Sequence, residues 1–182
     1  MFKCIIDENI ELRLLETTHA EEIFKSIDSC RNHLREWLPF VDGTKTIEDT
    51  KKFIDMTKEQ FVSNSGFQSG IWYKGVFAGI IGYHKVDWNN KSVSIGYWLD
   101  ERYVGKRIMT KACRKFVDYA FNNLKLNRVE IRCGENNYKS RAIPQKIGFS
   151  EEGLIRDAEW LYDHYVNHIV YGMLADEWVR GK

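Results

Sequence analysis

The longest regular pattern of apolar positions lies in the second half of the chain. Over residues 107–124, pairs of apolar side chains recur every four residues, which is the spacing of one face of an α-helix. Residues 93–99, just before it, are rich in β-branched and aromatic side chains, as strands usually are. The sequence therefore predicts a strand, a short loop over residues 100–106 and a long amphipathic helix.

Shorter patterns surround this unit. Apolar residues at helical spacing follow Thr18 and Thr46, and each of these threonines has an acidic residue three positions later, which predicts two helix starts. A short helix is also expected near residues 31–37. Another short helix is expected after residue 136. The predicted strands cover residues 10–15, 67–73, 76–86, 93–99, 128–133, 149–161 and 164–174.

Composition restricts the class of protein. A chain of 182 residues with two prolines and no linker-like stretch suits a single domain over residues 1–182. Its formal net charge of +1 argues against a general nucleic-acid binder, and its four cysteines and five histidines lack the spacing of metal ligands. It has no run of about 18 apolar residues, so no membrane span is expected. The N-terminus does not resemble a signal peptide, which makes the cytoplasm the expected compartment.

A cluster of cations lies at the start of the long helix. Its members are Arg102, Lys106, Arg107, Lys111, Arg114 and Lys115. Because a helix N-terminus exposes unpaired N–H groups, one interpretation is a phosphate-bearing ligand, and the other is a solvated basic face. A Walker A loop is excluded, since residue 100 is Asp and Lys106 is followed by Arg107. A dinucleotide fingerprint is excluded because Gly105 is the only glycine of this loop.

The loop Arg102-x-x-Gly105-x-Arg107 resembles the pyrophosphate-binding loop of the GNAT superfamily of N-acetyltransferases, usually Arg/Gln-x-x-Gly-x-Gly/Ala. Arg102 and Gly105 match this pattern, whereas Arg107 stands where a small residue is expected. A larger residue can still offer its backbone N–H to a phosphate if its side chain points away.

Two further segments strengthen the resemblance. The second cofactor segment of the superfamily is matched in order by Asn137, Ser140, Lys146, Gly148, Phe149, Glu152 and Gly153. Residues 34–40 look like the Leu-Arg-x-Trp-Leu-Pro-Trp-like segment of RimJ/RimL-type ribosomal-protein acetyltransferases, with Phe40 in place of the second Trp. In the folded protein, residues 34–40 are expected to form either a packed corner between a helix and a loop or one wall of a substrate cleft. Pro144 departs from the pattern, because many members have there a Tyr that protonates the departing thiolate. A proline at this position predicts a kinked or short helix.

The resemblance covers essentially the whole chain and implies an α+β fold. It implies a single GNAT-like domain with the order β-α-α-β-β-β-α-β-α-β-β, in which helices cover both faces of a mostly antiparallel mixed sheet. Acetyl-CoA is the implied cofactor, and a primary amine would attack it directly. The implied cofactor-binding residues are Trp98, Leu99, Arg102, Val104, Gly105, Lys106, Arg107, Ile108, Asn137, Ser140 and Lys146. A backbone N–H of Trp98 or Leu99 is expected to face the developing oxyanion.

Two residues are candidates for proton transfer. By resemblance to RimL-type members, Ser140 would lie near the leaving sulfur and Glu159 would act as the base. The alternatives are that Ser140 only bonds backbone at a helix start and that Glu159 is a surface carboxylate. Tyr97, Tyr138 and Asp100 are reserve candidates.

Three functions remain open from the sequence. The favoured one is acetylation of the N-terminal α-amino group of a ribosomal or other protein. The second is acetylation of a small amine such as a polyamine, an antibiotic or an amino acid. The third is a non-catalytic acyl-CoA-binding sensor, which the departures at Arg107 and Pro144 would fit. A homodimer is an expected partner arrangement, because it is common in the RimJ/RimL group, whereas nucleic-acid and membrane partners are not expected.

Overall fold

The computed structural model describes residues 3–180 and contains an eight-stranded sheet. The strands are β1 (Lys3–Ile5), β2 (Ile10–Leu14), β3 (Gln68–Tyr73), β4 (Val76–Tyr83), β5 (Ser92–Leu99), β6 (Arg128–Gly134), β7 (Ser150–Leu161) and β8 (His164–Leu174). The helices are α1 (Ala20–Ser29), α2 (Arg31–Arg35), α3 (Ile47–Val62), α4 (Ile108–Asn122), α5 (Tyr138–Ile147) and α6 (Ala175–Arg180). Within this range, no helix combines the length and the apolar composition needed to cross a bilayer.

The sheet has the order β1-β2-β3-β4-β5-β6-β8-β7, and its neighbouring strands are antiparallel except for β5 and β6. These two run parallel because the connection through α4 returns the chain to the same end of the sheet. They pair only over residues 92–94 and 128–130. Residues 95–99 of β5 then stay with β4, while β6 continues along β8. A gap therefore opens between β5 and β6, which we call the strand gap.

Two apolar layers cover the sheet. Ile95 of β5 and Phe116 of α4 belong to the larger core, on the face that also carries α5. Ile80 of β4 packs with Ile23 of α1 and Ile54 of α3 in the second core, on the opposite face. The strand gap thus lies between two helical layers.

This architecture confirms the predicted α+β fold with a mixed, mostly antiparallel sheet and helices on both faces. The predicted order of elements is present, with β1 and α6 added at its ends, and α2 is the short helix that was expected near residues 31–37. β1 has three residues and α6 has six, which is too short to produce a clear periodic pattern. The final hairpin turns at residues 162–163 as predicted.

Candidate active site

One buried carboxylate fixes the loop between β5 and α4. Asp100 is fully buried and accepts hydrogen bonds from Ser26 Oγ at 2.7 Å and from Arg102 N, Nε and Nη2 at 3.0, 2.9 and 2.6 Å. Burial by itself raises the pKa of Asp100, but the hydrogen bonds from Arg102 and Ser26 outweigh it and hold that pKa below its ordinary value. The Arg102 side chain is therefore engaged in shaping the loop, which it ties to α1 through Asp100.

The N-terminus of α4 opens into a cleft beside this loop. Gly105 and Arg107 have φ angles of +83° and +61°, and no side chain caps the helix. The N–H groups of the first turn, residues 108–110, are therefore available to an anion. The left-handed conformation of Arg107 also explains why the helix begins at Ile108, one residue later than predicted. The ammonium group of Lys106 lies 5.2 Å from the ring centre of Tyr103.

The cleft at this helix end has a volume of about 660 Å³, and we call it the cofactor cleft. The predicted cofactor-binding residues line it except Arg102 and Lys106. Those that line it are Trp98, Leu99, Val104, Gly105, Arg107, Ile108, Asn137, Ser140 and Lys146. The structure thus brings together two sequence segments, residues 98–108 around the start of α4 and residues 137–146 around α5, that are 29 positions apart.

A second cleft, of about 830 Å³, meets the cofactor cleft at the strand gap. The residues common to both clefts are Trp37, Leu38, Tyr97, Trp98, Asn137 and Ser140. Phe40 lines the second cleft, with its ring centre 6.3 Å from that of Trp98. Of the two interpretations of residues 34–40, the structure therefore favours a cleft wall.

Ser140 lies where the two clefts meet. Its hydroxyl is 3.2 Å from both Tyr97 Oη and Cys133 Sγ, and its carbonyl accepts a hydrogen bond from the Tyr97 hydroxyl at 3.1 Å. In an unbroken helix that carbonyl would accept the N–H of residue 144, which Pro144 lacks. Tyr97 thus replaces the missing bond, and α5 continues through Pro144 to Ile147.

The groups around Ser140 are neutral. Burial raises the pKa of Tyr97 and that of the Cys133 thiol above their ordinary values. Asn137 caps α5, because its Oδ1 accepts the backbone N–H of Ser140 at 3.1 Å. The Nδ2 group of Asn137 can still donate to a ligand while Oδ1 caps the helix. Tyr138, a reserve candidate, lines the cofactor cleft but is 70% exposed.

Glu159 lies in the second cleft, where its Oε2 is 3.1 Å from His168 Nε2. The pairing of β7 with β8 shifts register between Ile155 and Glu159, and Asp157 takes a left-handed conformation there with φ +48°. Such a bulge turns the side chains that follow it, and here it brings Glu159 to His168. The sequence does not predict a role for His168 beside Glu159, because the bulge that pairs the two residues leaves no pattern in the sequence.

The backbone N–H groups of β5 are divided between β4 and the strand gap. Asp100 N donates to Ala78 O, and Ser94 O accepts from His84 N. The direction of the backbone N–H and C=O groups alternates along an antiparallel strand. The backbone groups of even-numbered β5 residues therefore point towards β4, and those of odd-numbered residues point towards the strand gap. Of the two expected oxyanion donors, the N–H of Leu99 therefore faces the gap, whereas that of Trp98 points towards β4.

A sequence model described as "Acetyltransferase (GNAT) domain" matches residues 9–150. The chain belongs to the GNAT acetyltransferase family. It is 37% identical over 183 residues to the putative ribosomal N-acetyltransferase YdaF of Bacillus subtilis (strain 168), an alignment that covers 100% of both chains. It is 25% identical over 171 residues to the ribosomal-protein-serine acetyltransferase of Escherichia coli (strain K12), covering 94% of this chain and 96% of that relative.

A solved GNAT structure supports both the fold and the cofactor. The microcin C7 self-immunity acetyltransferase MccE, in complex with acetyl-CoA and AMP, superposes with a TM-score of 0.89. It is 26% identical to this chain, and the match covers 93% of this chain and 94% of that one. The protein is an acetyl-CoA-dependent N-acetyltransferase.

The residues present fit this cofactor. The uncapped first turn of α4 presents N–H groups for a diphosphate, and the Arg107 side chain adds a positive charge in the same cleft. The odd-numbered residues of β5 present backbone donors and acceptors along the strand gap, which suit the amide groups of a pantetheine chain.

Proposed function

We propose that this GNAT enzyme acetylates the α-amino group at the N-terminus of a ribosomal or other protein. The observation that carries the proposal is the charge of the second cleft. Among the described residues that line it, the histidines and the charged side chains are His84, Arg132, Glu159 and His168, so it holds one carboxylate, which is paired with His168. A polyamine carries several positive charges and would be matched by several carboxylates, whereas a protein N-terminus brings one ammonium group. From here on we call the second cleft the acceptor cleft.

The names of two relatives agree with this acceptor class. YdaF carries the name of a putative ribosomal N-acetyltransferase, and the Escherichia coli relative that of a ribosomal-protein-serine acetyltransferase. The chemistry of the amine supports the same choice. An α-amino group has a pKa of about 8, so a useful fraction is neutral near pH 7, whereas a lysine side chain has a pKa of about 10.4 and is almost entirely charged.

The proposed roles follow from where each group lies. Acetyl-CoA supplies the acetyl group as a reactive thioester. The N–H of Leu99 donates to the carbonyl oxygen as its negative charge develops, and the Ser140 hydroxyl, at the junction of the clefts, donates to the departing sulfur. The Glu159–His168 pair removes a proton from the ammonium group in the acceptor cleft.

Thiol release from acetyl-CoA tests this function. The acceptors are short peptides with free N-termini, the same peptides with blocked N-termini, and polyamines. We expect release with the free peptides alone, a loss on the order of 100-fold in Ser140→Ala, and a smaller loss, on the order of 10-fold, in Glu159→Gln. Ser63→Ala, which changes an exposed serine after α3, is the matched control and should retain full activity.

Three results would contradict the proposal. Release with polyamines alone would make the protein a small-amine acetyltransferase. Acetyl-CoA that raises the melting temperature without any release would favour a CoA-binding sensor. Equal activity of Ser140→Ala and the wild type would remove Ser140 from the leaving-group role.

A further inference from the structure

The hydrogen bond between His168 and Glu159 determines which imidazole nitrogen carries the proton. Nε2 is 3.1 Å from the carboxylate oxygen, so a neutral His168 must place its proton on Nε2 in order to donate to Glu159. Nδ1 then carries a lone pair, and none of the protein groups described between residues 3 and 180 is hydrogen-bonded to it. This is the arrangement of a histidine base held by a carboxylate.

The two side chains differ in how open they are to solvent. His168 is 17% exposed and Glu159 is 33% exposed, and both line the acceptor cleft. His168 pairs with Gly134 of β6, where an added Cβ would approach the Trp37 ring to 2.9 Å. The imidazole is therefore less exposed than the carboxylate, and it lies on the face of the sheet that carries Trp37.

The charges facing His168 are few. Glu159 comes from β7, Arg132 comes from β6, and His84 directly follows β4. Arg132 Nε itself donates a hydrogen bond to Glu130 at 2.6 Å. Burial and the positive charge of Arg132 lower the pKa of His84. The residues that α1 and α3 contribute to the cleft are uncharged: Ile23, Ile27, Thr50 and Phe53. Glu159 is thus the one anion among the described residues lining the cleft.

On this geometry, and resting on the proposed function, we infer that Nδ1 of His168 accepts the proton of the acceptor ammonium, and that Glu159 is a positioning residue that fixes the imidazole tautomer. The ammonium loses one proton to Nδ1, and its nitrogen forms the new C–N bond as the C–S bond breaks. The second proton of the nitrogen passes to the departing sulfur by way of the Ser140 hydroxyl. The imidazolium then releases the first proton to solvent, which leaves an amide, a thiol and one proton.

The pH dependence of kcat/KM with a free-N-terminus peptide tests the assignment. His168→Gln keeps an N–H that can donate to Glu159 but has no basic nitrogen. We expect it to lose on the order of 100-fold near pH 7 and to recover to within about 10-fold of the wild type near pH 9.5, where the acceptor amine is already neutral. Glu159→Gln should lose less than His168→Gln. A His168→Gln deficit that is the same at every pH, or a greater loss in Glu159→Gln, would overturn the assignment.

The matched control is a second histidine–carboxylate pair outside the clefts. His164 Nδ1 is 2.7 Å from Asp163 Oδ1 at the turn of the β7–β8 hairpin. His164→Gln should leave the pH profile unchanged. Acetyl-CoA should raise the melting temperature of every variant, which separates loss of the base from loss of the fold.

A measurement without turnover tests the tautomer directly. In ¹⁵N-histidine NMR spectra of the protein without ligands, His168 should carry its proton on Nε2 and none on Nδ1, and Glu159→Gln should weaken that preference. A proton on Nδ1 in the neutral state would refute the inference even if the enzyme acetylates peptides. If no peptide is acetylated while the Nε2 tautomer is seen, the proposed acceptor is wrong and the arrangement of the pair stands.

Discussion

Replacement of Tyr97 by Phe tests how the chain accommodates Pro144. The variant keeps the ring and removes the hydroxyl that donates to the Ser140 carbonyl at 3.1 Å and lies 3.2 Å from Ser140 Oγ. Since Pro144 has no N–H, the carbonyl then has no donor within α5. A buried polar group without a partner costs about 1–3 kcal/mol. Because Ser140 is only partly buried, we expect Tyr97→Phe to lower the free energy of unfolding by about 1–2 kcal/mol.

Pro144→Ala supplies the donor that the helix lacks. Its N–H can bond the Ser140 carbonyl, so Tyr97→Phe should cost about 1 kcal/mol less in this background than in the wild type. Urea unfolding of the wild type, the two single variants and the double variant gives this coupling free energy. Tyr165→Phe, on a ring that is 58% exposed, is the control and should change stability by no more than about 0.5 kcal/mol. Additivity of Tyr97→Phe and Pro144→Ala to within about 0.3 kcal/mol would refute the reasoning.

Three other substitutions test the residues that hold β4, β5 and the loop before α4 in place. Gly79→Ala places a Cβ 2.3 Å from the Trp98 carbonyl oxygen and should lower the free energy of unfolding by about 1–3 kcal/mol. The control Gly43→Ala meets no atom within 4 Å and should leave stability nearly unchanged. Thermal melts of both variants measure the difference. Arg107→Gly removes a left-handed non-glycine residue, so it should raise the free energy of unfolding by about 1 kcal/mol and weaken acetyl-CoA binding in calorimetry. Folding lowers the pKa of Asp100, so the ionised carboxylate stabilises the folded protein. This contribution to the free energy of unfolding is fully present above about pH 4 and is lost as the pH falls through the folded-state pKa. The stability difference between the wild type and Asp100→Asn should therefore shrink from about pH 7 to about pH 3, and a constant difference would contradict this.

Much of the fold could be predicted from periodicity, because local pattern and tertiary burial agree there. The apolar residues predicted to form one face of α4 are buried together, and Ala112, Phe116 and Ala120 are 0–3% exposed. The β3–β4 turn is equally well specified, since Lys74 and Gly75 both take positive φ angles, as a two-residue hairpin turn requires. Short elements such as β1 depend on pairing with a neighbour, which a three-residue pattern cannot reveal.

The candidate site was predictable where the expected ligand contacts come from the backbone of one local motif. The loop before α4 is such a case, since Gly105 and the first helical turn adjoin in sequence. The partners of Arg102 and Ser140 were not predictable. The burial of Asp100 depends on α1, which is far away in sequence, and the contact between Tyr97 and Ser140 spans 43 residues. The pairing of Glu159 with His168 depends on a bulge in β7.

Mass spectrometry of one acetylated peptide tests the central claim most directly. The peptide should carry both a free N-terminal α-amino group and an internal lysine, and it should be incubated with acetyl-CoA and the wild-type enzyme near pH 7. We expect one acetyl group on the α-amino nitrogen and none on the lysine, because the lysine side chain is almost entirely charged at that pH. Acetylation of the lysine with the α-amino group left free would contradict the proposed acceptor.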